Sequence, residues 1–360
     1  MNKQKRVCII CETPFQVFSA IQLKSMISDN HIVDVFIGEV FVNASIIVEN
    51  VKKTRLFNNV FSYKIDKMNF ENKINELFFP NKYIQYLVGK SITPNTYDKI
   101  FISSTTYFAM AIVADNRSAD VIYFDDGIGS YTGNIGIQNI SLKRKLCYKL
   151  CFRNVNRFEY KDIYLYSPKL ITKLDYNIKI NKIKISNDKE IIATVEQVFN
   201  YFDDKLYEKK IIYFATPSQD FGNKLQEERI TKVLENYSED CIVRLHPREV
   251  NPQIFNFASI DKGVNLWELT SMNKISDNHI LIGIFSTAQV VSKLLFNKEP
   301  CVVFMHKLYR DIFSDTQLVN MDCFVKKLRE SYTNPSKIIE IEEVSDFDSA
   351  INECMRIING

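Results

Sequence analysis

Val121-Ile-Tyr-Phe-Asp-Asp-Gly-Ile-Gly-Ser-Tyr131 is an apolar run that stops abruptly at two carboxylates and a glycine. Its first four residues are β-branched or aromatic, as a strand covered on both faces requires, and Gly127 and Gly129 let the chain turn. The pattern predicts a buried parallel strand that delivers Asp125 and Asp126 into a loop at its carboxyl end. Open α/β sheets bind their ligands at such ends. Adjacent carboxylates there have three uses: general base toward a hydroxyl, metal ligand, or cap of the next helix.

The same strand, loop and helix grammar repeats on either side. Arg6 to Cys11 reads as a strand, Glu12-Thr-Pro-Phe-Gln16 as a loop, and Val17 to Met26 as a helix by its apolar spacing. Thr13 and Gln16 stand where they can hydrogen-bond a ligand; Thr13 before Pro14 is also a standard helix cap. His31 to Ile37 and Tyr97 to Ile102 are further strands, and Ser103-Ser-Thr-Thr106 opens a helix through Ala114. Ser103 and Ser104 can therefore hold an anion or serve only as helix-start residues. Residues 66–92 read as helices at the domain edge. Asp162 to Tyr166 is another strand, and the polar stretch from Ser167 to Lys189 joins the two halves.

Beyond the join come strands at Lys210 to Ala215, Cys241 to Leu245 and His279 to Ile284. Helices are expected at Leu225 to Leu234, from Ser286-Thr287 through Phe296, and at Asp346 to Ile358. The alternation implies α/β architecture with two doubly wound, Rossmann-like domains facing across a cleft. The predicted domains are 1–175 and 190–345, with a closing helix over 346–360 that returns to the first domain.

The 360 residues are 46% hydrophobic and 25% charged, which suits two folded domains and excludes disorder. A net charge of +3 gives no global argument for nucleic acid. No run is apolar for long enough to span a bilayer, and Met1-Asn-Lys-Gln-Lys-Arg6 leads directly into a strand, so the protein is expected in the cytoplasm. Of eight cysteines, Cys8 and Cys11 share a strand while Cys147 and Cys151 share a helix turn; the spacing suits reduced core thiols, and no second pair completes a zinc site. Ser141 to Arg157 carries Lys143, Arg144, Lys145, Lys149, Arg153 and Arg157 around Leu142, Leu146 and Leu150. Such a basic amphipathic helix suits peripheral contact at the inner face of a bacterial membrane, with a solvated face or a homodimer contact as alternatives.

The second half holds its own constellation. His246 ends a strand beside Pro247 and Arg248, at the crevice end of the sheet. Ser286 and Thr287 open a helix, where hydroxyls, amides and helix dipole favour a phosphate. Glu268 can accept two hydrogen bonds from a ribose. Together with Gln219 in the 216–222 loop, these residues form a candidate nucleotide site, while Asp125 belongs to the opposite domain.

In order, Asp125-Asp126-Gly127, His246-Pro247 and Ser286-Thr287 resemble the D/E-D/E-G, HP and S/T motifs of bacterial sialyltransferases with the GT-B fold. Thr13-Pro-Phe-Gln16 after the first strand resembles the start of glycosyltransferase family 52, which includes lipooligosaccharide and capsule sialyltransferases. Families 38, 80 and 97 share the three motifs.

The resemblance implies an inverting, metal-independent transfer of sialic acid from CMP-sialic acid to a hydroxyl, that of a galactose in α-2,3 linkage, on a lipid-linked oligosaccharide. The family's general base falls on Asp125, with Asp126 as the alternative. His246 would meet the departing CMP phosphate, Ser286 and Thr287 its oxygens, and Glu268 the ribose, with Pro247 and Gln219 also on the donor side. Thr13, Gln16, Ser103 and Ser104 would line the acceptor side. No metal or other cofactor is implied. Another GT-B transferase, such as a glucosyltransferase, or a non-catalytic nucleotide-binding protein remain the alternatives.

Overall fold

The apolar runs pair into two sheets, one in each of two units, in this computed structural model. The residues described are 4–64, 79–90, 92–93, 96–133, 135, 146, 160–173, 178–216, 224–246 and 252–360. One unit comprises Met1–Ser130, Asn134–Pro168 and Leu174–Asn200; the other comprises Tyr131–Gly133, Lys169–Lys173 and Tyr201–Gly360.

In the N-terminal unit the strands are β1 Arg6–Cys11, β2 Ile32–Gly38, β3 Asn59–Tyr63, β4 Lys99–Ile102, β5 Asp120–Phe124, β6 Asp162–Leu165 and β7 Lys179–Lys182. Its helices are α1 Pro14–Met26, α2 Ala44–Thr54, α3 Pro80–Val88, α4 Tyr107–Asp115 and α5 Lys189–Val198. The strand order is β3-β2-β1-β4-β5-β6-β7, with every pair parallel. The chain thus winds outward from β1 to β3, then crosses back to β4 and winds the other way. The strand order reverses between β1 and β4, which opens the crevice where doubly wound sheets place ligands.

The C-terminal unit repeats the scheme with β8 Ile211–Phe214, β9 Cys241–Arg244, β10 Ser259–Asp261, β11 Ile280–Gly283, β12 Cys301–Phe304 and β13 Ile338–Glu340. Its helices are α6 Lys224–Glu235, α7 Trp267–Lys274, α8 Thr287–Phe296, α9 Asp315–Glu330 and α10 Phe347–Asn359. The order β10-β9-β8-β11-β12-β13 is again all parallel and reverses between β8 and β11. Both units are therefore Rossmann-like, as the alternation of elements predicts.

The sequence pattern does not announce the edge strands β3, β7, β10 and β13. Each is only partly buried, so its residues need not form the continuous apolar run of a central strand. β12, though wholly buried, is a four-residue run that periodicity cannot separate from a helix segment.

Two predicted boundaries are corrected. α5 belongs to the N-terminal unit: Val195 and Val198 are buried, and the Asn50 side chain donates to the Val198 carbonyl at 3.1 Å and to Asn200 Oδ1 at 3.2 Å. The division therefore falls at 200/201 and not at 176–189. The closing helix α10 does not return to the first domain; Phe347, Ala350, Ile351 and Cys354 are buried in the C-terminal core with Ile280, Cys301 and Val303. Its apolar face matches the sheet that immediately precedes it in the chain.

Among the described residues no helix is long and apolar enough to cross a membrane. The basic stretch 141–157 lies outside the described residues except for Leu146, and so does most of 66–92. Cys8, Cys11, Cys241, Cys301 and Cys354 are buried free thiols, whereas Cys323 is exposed.

Candidate active site

The end of β5 splits its two carboxylates into different roles. Asp125 is fully enclosed: Oδ1 accepts the Gly127 backbone N–H at 2.8 Å, and Oδ2 accepts that of Tyr166 at 3.0 Å. Gly127 has φ +85°, the left-handed region that this tight return demands and that glycine adopts without strain. Asp125 therefore anchors the turn and ties it to the residue after β6. Asp126, next in sequence, is exposed. Its backbone N–H donates to Ser130 Oγ at 2.8 Å, and its Oδ1 accepts from Gln16 Nε2 at 2.7 Å. Of the two candidate bases, Asp125 is thus enclosed with both oxygens on backbone donors, whereas Asp126, the alternative, stands at the surface.

Protein crowding on the inner side of Asp126 lifts its carboxyl, Gln16 opposes the rise, and the charges of Asp125 and Glu12 add to it, for a pKa of about 7. Its outer edge is open to water, which relieves part of the desolvation. A carboxyl held near neutrality at a strand end has the proton affinity of a working general base.

Across the reversal between β1 and β4 stands Glu12, a residue that the sequence reading passes over as part of a loop. Glu12 Oε1 accepts from the Tyr63 hydroxyl at 2.9 Å and from the Thr106 hydroxyl, and Oε2 accepts from Ser104. The ends of β1, β3 and β4 are thus gathered on one carboxylate. Its signal was available: an acid directly after the first strand of a doubly wound sheet lies at the crevice by topology alone.

The four residues expected on the acceptor side are placed as follows. Thr13 caps α1, its hydroxyl accepting the Gln16 N–H at 3.2 Å, with Pro14 at the first helical position. Gln16 is buried, and its Oε1 accepts the Glu12 N–H at 2.6 Å. Ser103 is buried and donates to the Phe124 carbonyl at 2.8 Å, while Ser104 donates to Glu12. Thr106, not Ser103 or Ser104, caps α4. Gln16 and Ser104 thus join the Asp126 and Glu12 cluster, whereas Thr13 and Ser103 have local structural roles.

In the C-terminal unit, His246 follows β9 by two residues and is half-buried. Arg244, at the end of that strand, donates to Asp261, to the Tyr207 hydroxyl at 3.0 Å and to the Asn265 carbonyl at 2.8 Å, and its guanidinium lies 5.1 Å from the Trp267 ring centroid. This half-buried arginine, paired through both terminal nitrogens, fixes the loop from β10 to α7 under the strand end. Glu268, in the first turn of α7, is 5% exposed; burial raises its carboxyl to about 7, while its own backbone N–H and Arg244 pull it down.

Ser286 caps α8 with a reciprocal pair: its hydroxyl accepts the Ala288 N–H at 3.2 Å, and its own N–H donates to Gln289 Oε1 at 2.9 Å. Gln289 also donates to the carbonyls of Gly283 at 3.1 Å and Val303 at 3.0 Å. A Cβ on Gly283 would stand 3.0 Å from the Gln289 amide, so glycine there permits this approach. The lock fixes the start of α8, with Thr287 as its first residue, beside the reversal between β8 and β11. Trp267 Nε1 donates to the Ala288 carbonyl at 2.8 Å, which hitches the start of α7, and hence Glu268, to the first turn of α8. Pro247 and Gln219, expected on the donor side, lie outside the described residues.

One further group of potential ligands occurs among the described residues: His306, Asp322 and Glu340, whose ligand atoms lie within 4.8 Å of one another. Glu340 is already paired with Arg329 at 2.7 Å and Lys307 at 3.3 Å, which compensates its charge without an ion. His306 is wholly buried, packs edge-on to Phe285 at 5.5 Å, and is held below the ordinary histidine range chiefly by desolvation.

Comparison of folds gives GT-B relatives over nearly the whole chain. The spinosyn forosaminyltransferase SpnP superposes with a TM-score of 0.55 at 9% identity, covering 98% of this chain and 91% of that one. The calicheamicin glycosyltransferase CalG4 gives 0.52 at 9% identity, covering 99% and 93%. A UDP-N-acetylglucosamine 2-epimerase gives 0.51 at 8% identity, covering 99% and 91%. At such identities the likeness shows the GT-B fold alone, which transferases and epimerases share. No curated protein matches in sequence. Residues 8–303, however, match the alpha-2,8-polysialyltransferase family across both units, and the chain belongs to that family.

Proposed function

We propose that the protein is an inverting sialyltransferase that moves sialic acid from CMP-sialic acid to a hydroxyl of a surface glycan. The observation that carries this reading is the exposed Asp126 carboxyl, held near neutrality at a parallel-strand end, in a chain whose residues 8–303 match a sialyltransferase family. The resemblance to glycosyltransferase family 52 in particular rests on the short motifs alone.

Asp126 takes the proton of the acceptor hydroxyl as its oxygen attacks the anomeric carbon of the donor. The bond from that carbon to the CMP phosphate oxygen breaks, and the electron pair leaves with the phosphate. His246 supplies a proton or hydrogen bond to that oxygen. Ser286 and Thr287, at the start of α8, receive the remaining phosphate oxygens. Ser286 Oγ already accepts a backbone bond, yet its own O–H remains available to donate. Glu268 accepts from the ribose hydroxyls in its ionised form. These groups supply the charge relief for a departing nucleotide, so no metal ion is assigned to the step.

The family's description favours a sialic acid already on the glycan as acceptor, with α-2,8 linkage, over the galactose in α-2,3 linkage implied by the motif resemblance. Six cations between Lys143 and Arg157 support, on composition, reversible contact with anionic lipid where lipid-linked acceptors are displayed. Isothermal titration with CMP, CDP, UMP and UDP tests the donor assignment. Tightest binding of the cytidine nucleotides is expected; tighter binding of UDP would assign the protein to another GT-B chemistry.

A further inference from the structure

We propose that Gln16 is a positioning residue for Asp126: its carboxamide, pinned at the oxygen end by the Glu12 backbone, holds one carboxylate oxygen and presents the other to the acceptor hydroxyl. The proposal rests on the assignment of Asp126 as base. It departs from the expectation that Gln16 itself binds acceptor.

The orientation of the amide follows from its partners. A backbone N–H can only donate, so the Gln16 atom 2.6 Å from the Glu12 nitrogen must be the oxygen. The opposite atom is then the NH2 group, a donor, and it meets Asp126 Oδ1 at 2.7 Å. Gln16 is 2% exposed and lies in the first turn of α1, whose start is fixed by the Thr13 cap and Pro14. Both ends of the side chain are thus committed, and its backbone is held. Among the described residues Gln16 is the only side chain hydrogen-bonded to the Asp126 carboxylate, and it engages Oδ1 alone. A hydrogen bond to Oδ1 restrains rotation of the carboxylate and leaves Oδ2 for the acceptor on an exposed residue.

The same bond acts on proton affinity. The charged or titratable groups facing Asp126 are Asp125 on its own turn, Glu12 after β1, and Tyr123 on β5; the two acids raise its proton affinity. Gln16 alone opposes them. An amide that stabilises the ionised form keeps the base available at neutral pH, and its loss moves the titration upward.

The test is a carbon-13 titration of the Asp126 carboxyl, assigned with Asp126→Asn, in wild type, Gln16→Leu and Gln16→Glu, alongside pH profiles of kcat/KM. Gln16→Leu removes both bonds, whereas Gln16→Glu keeps an oxygen for the Glu12 N–H and places a second acid against Asp126. Circular dichroism confirms that each variant is folded. We expect the Asp126 midpoint and the acidic limb of kcat/KM to rise together by roughly one pH unit in Gln16→Leu and by more in Gln16→Glu, with donor KM unchanged. An Asp126 midpoint that stays put in both variants overturns the clamp, as does a rise in acceptor KM with kcat intact. Full activity of Asp126→Asn instead overturns the base assignment, a result read on a different protein from the Gln16 variants.

Discussion

Asp125 Oδ2 accepts the Tyr166 backbone N–H at 3.0 Å, so the first acid of the pair fastens the turn after β5 to the residue after β6 and the second is left outside. Substitution should separate the two roles. Asp126→Asn is expected to lower kcat by roughly two to four orders of magnitude with little change in stability, the usual effect of losing a positioned base. Asp125→Asn presents an NH2 group to a backbone donor and should cost roughly 2 kcal/mol or more of stability. Urea unfolding and steady-state kinetics on both variants check the split; an active Asp126→Asn beside an inactive but fully stable Asp125→Asn would reverse the assignment.

The pH dependence follows from the raised carboxyl of Asp126. Below about 7 its base form is depleted, so kcat/KM should fall nearly tenfold per pH unit on the acidic side. A profile flat down to pH 5 would show that this carboxyl does not take the proton.

Glu268 links binding to stability. Its folded carboxyl sits near 7 against an ordinary value of 4.5, so between those values the folded state holds a proton that the unfolded chain has lost. Stability from this group is therefore present at low pH and lost as pH rises through about 7. Glu268→Gln should stabilise the protein at pH 8.5, by at most roughly 3 kcal/mol, and leave it unchanged at pH 4 to 5. It should also weaken CMP binding, because an amide accepts one of the two ribose hydroxyls less well. Thermal unfolding at the two pH values and calorimetric titration measure both effects, and equal melting shifts at both pH values would refute the buried ionisation.

His246→Ala should reduce turnover and weaken CMP binding together, since one side chain is assigned to the phosphate before and during departure. Turnover by the wild type in excess EDTA should match that without chelator. Unchanged CMP affinity in His246→Ala, or a strict Mg²⁺ requirement, would count against this donor site.

Central strands and crevice loops were legible in the sequence because buried parallel strands are continuous apolar runs and their carboxyl ends are marked by a change to polar residues. The run 121–124 and the turn at Gly127 lie where their composition puts them. The edge strands were not, since a half-covered strand carries no such run. The different settings of Asp125 and Asp126 were also hidden: two identical side chains differ only in which one the backbone donors of Gly127 and Tyr166 enclose, a long-range fact. Glu12 could have been found by topology, but its three hydroxyl partners come from 51 to 94 residues away. The Arg244 and Asp261 pair likewise joins neighbouring strands across 17 residues and leaves no local signature.

The most direct test is to incubate the purified protein with CMP-sialic acid and an oligosialic acid acceptor, measuring CMP release and product linkage by mass spectrometry and methylation. Acceptor-dependent CMP release with growth of the chain by α-2,8-linked sialic acid, abolished in Asp126→Asn, is the expected result. No acceptor-dependent release from CMP-sialic acid, together with turnover of a uridine nucleotide sugar, would contradict sialyl transfer outright.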